Sequence, residues 1–118
     1  MGLLYPQKIS EQETQQLVDA TMDWILSITE PAALILFGSA ARGEMNRASD
    51  IDLAIIYADE TSLMEGRKGI YRSMNRDNSI WPRDLLFYTA EEFTHRKNRG
   101  GIAELIAAEG RVLYGSMQ

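Results

Sequence analysis

Leu36-Phe37-Gly38-Ser39, ten further residues, then Asp50-Ile51-Asp52-Leu53: residues 36–57 read LFGSAARGEMNRASDIDLAIIY. The apolar run Ala32 to Phe37 is strand-sized, and Gly38-Ser39 turns the chain where it stops. Ala40-Ala41-Arg42 opens a short helix, residues 43–49 are polar and loop-like, and residues 50–57 form a second strand. Side chains alternate faces along a strand, so Asp50, Asp52, Ala54 and Ile56 share one side, with Ile51, Leu53, Ile55 and Tyr57 on the other. Carboxylates at i and i+2 have Cα atoms roughly 6.5–7 Å apart and can converge on a cation. Without one they repel, and one tends to keep its proton. Mg²⁺, hard and oxygen-seeking, is the natural counter-charge. Gly38 permits a tight turn and close backbone approach. The following helix start offers free N–H groups and a positive dipole end, which suit phosphate. Ser39 adds a hydroxyl, and Arg42 lies one turn on. Taken singly, each piece has a plainer reading: an acidic strand end in solvent, a simple turn, an Arg42 paired with Glu44 or a loop carboxylate. At one edge of one sheet they describe a site for a metal–triphosphate.

Outward from this stretch, helices and strands alternate. Ser10 and Glu13 make an S-x-x-E capping box. Leu17, Thr21, Trp24, Ile25 and Ile28 then recur at helical spacing, which predicts an amphipathic helix over about 11–28, ended by Thr29-Glu30-Pro31. A polar helix is expected at about 61–75, loop from Asn75 to Pro82, and a third strand from Asp84 to Tyr88. Thr89 and Glu92 form a second capping box for a helix at about 90–97. Arg99-Gly100-Gly101 breaks it. Ile102, Leu105 and Ile106 mark a last short helix, stopped at Gly110, and Arg111–Tyr114 a terminal strand. The expectation is one domain over residues 1–118 of α/β (α+β) class, a small mixed sheet packed with helices.

The chain has 118 residues, too few for a polymerase with palm, fingers and thumb, and enough to bury a core unaided. Twelve basic against 17 acidic residues leave a net charge of −5, which disfavours direct nucleic-acid binding. There is no cysteine, which excludes thiol nucleophiles and zinc–cysteine sites and fits a cytoplasmic location. No apolar run is long enough to span a membrane, and neither a signal peptide nor a myristoylation motif is read at the N-terminus.

Gly38-Ser39-x10-Asp50-x-Asp52, with Arg42-Gly43 inside it, resembles the minimal nucleotidyltransferases (MNT) of the DNA polymerase β superfamily. The third strand carrying Asp84 and the closing ELIAAEGRVLYG extend the likeness over most of the chain. The resemblance implies a polymerase β-like palm fold. It implies that Asp50 and Asp52 bind Mg²⁺, two ions with ATP as donor, and that Asp84 is the third carboxylate and base. It further implies that Gly38 and Ser39 hold the nucleotide phosphates, with Arg42 as a helper. Antibiotic nucleotidyltransferases and polymerases of the superfamily carry an added acceptor domain, for which this chain has no room. Stand-alone members of this length resemble the antitoxin half of MNT–HEPN toxin–antitoxin pairs. That implies a HEPN RNase as partner, modified with AMP on a tyrosine. The chain does not resemble the HEPN toxin itself: an Arg-x4–6-His motif ending at His95 would need arginine where Tyr88, Thr89 and Ala90 stand.

Two other functions stay open on sequence: nucleotide transfer to a small molecule or RNA, and neutralisation of a partner by contact without catalysis. His95 is the sole histidine, so no Ser-His-Asp triad or multi-histidine metal site can form. It reads as a surface helix residue. The Arg96, Lys97 and Arg99 cluster, and Arg67, Lys68 and Arg72, read as solvated faces, with help to ATP or an acidic partner as the sharper option. Trp24 and Trp81 read as core or interface.

Overall fold

The computed structural model describes residues 6–74 and 81–116. In chain order the elements are α1 (Glu11–Ile28), β1 (Ala33–Phe37), α2 (Gly38–Arg42), β2 (Ile51–Tyr57) and α3 (Glu60–Met74). After them come β3 (Arg83–Thr89), α4 (Ala90–Arg96), α5 (Gly101–Glu109) and β4 (Arg111–Gly115). The expected elements are all present, with ends moved by a residue or two. Asp50 stands one residue ahead of β2 instead of inside it. Most of the expected 75–82 loop lies outside the described residues.

Local chemistry sets the boundaries. The Ser10 hydroxyl accepts from the Glu13 amide (3.1 Å) and starts α1. The reciprocal half of that box is absent: the Glu13 carboxylate pairs with Arg47 (2.9 Å), tying α1 to the loop before β2. Thr89 caps α4 by accepting from the Glu92 amide (3.1 Å). Gly110 does stop α5, in extended backbone (φ −69°), with its N–H on the Ile106 carbonyl (2.8 Å).

The four strands lie in the order β3-β2-β1-β4. β2 and β3 are parallel, joined through α3, while β1 is antiparallel to both β2 and β4. The sheet is therefore mixed, with helices on both faces. One face of β2 (Ile51, Leu53, Ile55, Tyr57) packs with Val18 and Ile25 of α1 and Leu63 and Ile70 of α3. The other (Ala54, Ile56) packs with Phe93 of α4 and Ala103 and Ile106 of α5. With both faces covered, β1 is buried throughout, and Asp52 is the one residue of β2 that is not. Among the described residues no helix is long and apolar enough to cross a membrane.

Candidate active site

The buried strand β1 delivers the chain to Gly38 with no intervening loop, and α2 starts at once. Gly38 has φ +70°. A Cβ built there would collide with the Asp52 carboxylate and lie 3.0 Å from its Cγ. The turn and the acidic strand are thus in direct contact, and glycine is required on two counts, dihedral and space. The N-cap of α2 is Phe37, which has no side-chain acceptor, so the first-turn amides of α2 receive no cap from it. Among the described residues the Ser39 hydroxyl makes no hydrogen bond.

Strand register assembles the rest. Phe37 pairs with Asp52 across the antiparallel ladder, and Asp52 pairs with Asp84 across the parallel one. Gly38, Asp52 and Asp84 therefore stand nearly level at one end of three adjacent strands. Asp50, two residues before Asp52, lies on the same side by alternation. Asp50 and Asp84 are exposed and Asp52 is half-buried. Burial first, then the charges of Asp84 and Asp50, raise the Asp52 pKa above the ordinary aspartate range, while Arg42 opposes the rise. The carboxylates are close enough to repel. Among the described residues, however, no three acids close around a point as a finished metal cage.

Arg42 carries its expected alternative role. Its Nε donates to Glu44 (2.8 Å) and its Nη1 to Glu109 (3.1 Å), so the guanidinium is held between loop and α5 while its charge still reaches Asp52. Glu109 was not legible as a partner, since a pair 67 residues apart leaves no local spacing. Arg83, next to Asp84, turns to the opposite face, where its guanidinium lies 4.3 Å from the Trp24 ring centroid. Trp81 is part-buried and donates its indole N–H to the Ser49 carbonyl (2.8 Å), bracing the approach to Asp50.

The family profile described as "Nucleotidyltransferase domain" matches residues 22–104, a span that holds the Gly-Ser turn and all three aspartates. The chain belongs to the nucleotidyltransferase domain family. No curated protein sequence matches it. Among solved structures, this nucleotidyltransferase domain is similar to a provisionally assigned nucleotidyltransferase from Sulfolobus solfataricus. Identity is 19%, over 97% of this chain and 93% of that one, with a TM-score of 0.53. A toxin–antitoxin crystallised with AMP-PNP matches at 19% identity over 83% of this chain and 73% of that one (TM-score 0.46). A double Asp-to-Glu mutant of the toxin–antitoxin MntA-HpeT matches at 18% over 92% and 75% (TM-score 0.42). At 19% identity the likeness to the Sulfolobus solfataricus protein concerns the fold.

The donor set suits a hard divalent cation. It consists of carboxylate oxygens whose mutual repulsion at Asp52 lacks a full counter-charge. Mg²⁺ is ordinarily held by one or two carboxylates together with waters and substrate phosphates, so an open half-site is the form to look for.

Proposed function

We propose that this nucleotidyltransferase domain moves AMP from ATP to a hydroxyl, and that the acceptor is a tyrosine of a HEPN-family RNase. The observation that carries the reading is the contact of Gly38 with Asp52, which joins a phosphate-suited turn and an acid row into one unit. The first-turn amides of α2 and the Ser39 hydroxyl bind β- and γ-phosphate oxygens of ATP. Arg42, held by Glu44 and Glu109, contributes long-range positive charge. The acceptor hydroxyl attacks the α-phosphorus, the α–β bridging P–O bond breaks, and pyrophosphate leaves. Asp84, exposed at the edge of the row, takes the acceptor's proton. Asp50, Asp52 and Asp84 would hold Mg²⁺, two ions in this reading, which would supply charge stabilisation to the transfer. Positioning and electrostatics do the rest, as in phosphoryl transfer generally.

The partner proposal rests on the motif resemblance and on the openness of the acid row: Asp50 and Asp84 face solvent. A protein tyrosine can be presented there without a second domain of this chain. We place the reaction in the cytoplasm, where ATP and Mg²⁺ are at hand. The test is incubation of the chain with ATP, Mg²⁺ and a HEPN protein encoded beside it, followed by intact-mass measurement. An added AMP on the partner, lost in Asp50→Ala/Asp52→Ala, is the expected result. Loss of partner RNase activity at unchanged mass would establish neutralisation by contact instead. Label appearing on an RNA or a small molecule would reassign the acceptor.

A further inference from the structure

The basic cluster at the C-terminal end of α4 has no role in the transfer proposed above. Two of its members, Arg96 and Arg99, line a cavity of about 260 Å³ with Tyr88 and the Gly100–Ala103 start of α5. Tyr88 is only 7% exposed, its ring set edge-on against Phe93 with centroids 5.4 Å apart. Among the described residues its hydroxyl makes no hydrogen bond. The ring is buried while its hydroxyl still reaches solvent, where a ligand can meet it. Burial raises the Tyr88 pKa, the Arg96 charge lowers it and Glu92 raises it, which puts the hydroxyl within electrostatic reach of both side chains. Arg96 has a loose ion pair with Glu92 (3.6 Å), and among the described residues Arg99 has none.

The opposite wall is the N-terminus of the nine-residue helix α5. Its N-cap, Gly100, has no side chain to cap it, and the Gly100 N–H is taken by Glu104 Oε2 (2.7 Å). The amides of Gly101, Ile102 and Ala103 have no intrahelical acceptor, and the positive end of the helix dipole lies there. Arg96, Arg99, Tyr88 and a helix N-terminus thus border one small cavity, with Glu92 paired to Arg96 and Glu104 on the Gly100 amide as the neighbouring carboxylates.

We propose that this cavity binds a phosphate-class oxyanion, either inorganic phosphate or the phosphate of a small monoester. Its volume accepts a tetrahedral oxyanion but falls below the roughly 300–1,000 Å³ of pockets that enclose whole drug-sized ligands. The site is distinct from the acid row. Tyr88 is four residues along β3 from Asp84 on the same face, roughly 13 Å away at about 3.3 Å per residue. It stands whether or not the transfer reaction does.

The test is an amide NMR titration with inorganic phosphate, in EDTA and at constant ionic strength. Saturable shifts at Gly101, Ile102 and Ala103 are expected. They should vanish in Arg96→Gln/Arg99→Gln, two exposed positions whose change leaves the core intact. Tyr88→Phe, which keeps the ring, should weaken binding about tenfold, the loss of one hydrogen bond to a charged group. Equal shifts from chloride, or unchanged phosphate affinity in the double variant, would overturn the proposal. A parallel AMP titration distinguishes the sources. Tighter binding of AMP assigns the site to a monoester, and equal or weaker binding assigns it to the free oxyanion. Either supports the site.

Discussion

A methyl group at residue 38 would meet the Asp52 carboxylate and sit on backbone at φ +70°. Gly38→Ala is therefore expected to lower stability by about 1–2 kcal/mol from the dihedral alone. Displacing Asp52 should also cut nucleotide transfer by roughly a hundredfold, the scale of an ångström-sized misplacement. Thermal melts and a labelled-ATP assay check the two halves. Wild-type transfer in this variant would remove Asp52 from the reaction. Asp52 carries a second prediction. Its pKa is raised in the folded chain, first by burial and then by Asp84 and Asp50. The folded state thus holds that proton to higher pH than the unfolded one. The charged carboxylate penalises folding above its raised pKa, and the penalty disappears below the ordinary value of 3.8. In EDTA, Asp52→Asn should gain on wild type as pH rises through that window and stay ahead at neutrality. Added Mg²⁺ should raise the melting temperature of wild type more than that of Asp52→Asn. Equal Mg²⁺ shifts would mean the ion is held elsewhere.

Elements were legible where one residue type fixes one local geometry. Ser10, Thr89, Gly110 and the 36–57 stretch all did so. What stayed hidden needed the third dimension. The buried stripe of α1 is Thr14, Val18, Thr21 and Ile25, with Leu17, Trp24 and Ile28 only at its flanks. Thr14 reads as polar, yet its hydroxyl returns to the Ser10 carbonyl (2.8 Å), as that of Thr21 does to Leu17 (2.8 Å), so both can be buried. The site's long-range pairs, Glu13 with Arg47 and Glu109 with Arg42, likewise follow from how α1 and α5 dock, not from spacing. Gly66 in α3 is another case that spacing does not reveal. A Cβ there would strike the Tyr57 phenol and lie 2.6 Å from Thr29 Oγ1. Alanine would add about 1 kcal/mol of helix propensity. Overpacking against a side chain only 1% exposed should cost about 1–3 kcal/mol and win. Gly66→Ala is expected to lower the denaturant midpoint, whereas Gly69→Ala, whose Cβ would meet only the Ile28 Cγ2 at 3.0 Å, should be far milder.

On the scale of the whole molecule, the cores lie on the two faces of the sheet and the acid row lies at one end of its strands, so chemistry and packing barely overlap. Asp50 and Asp84 can be changed without opening a core, since both are exposed. The same separation lets Asp50 and Asp84 face solvent, where the proposed acceptor would approach. The net charge of −5 is available to steer a partner with a basic RNA-binding surface, as the proposed HEPN RNase would have. Binding and catalysis should therefore come apart. Association with the HEPN protein is expected to slow as salt is raised, because screening shortens the reach of the charges to about 8 Å at physiological ionic strength. The Asp50→Ala/Asp52→Ala variant should still bind, yet suppress the partner's toxicity poorly because no AMP is added. Asp84→Asn should weaken nucleotide binding far less than it weakens single-turnover transfer, which is expected to fall roughly 10²–10⁴-fold, the range for a general base. Surface-binding kinetics at several salt concentrations, run beside the intact-mass assay, measure the two properties separately. A salt-independent association rate would refute the steering, and full transfer by Asp84→Asn would move the base to another carboxylate, with Glu91 and Glu92 next to be tried.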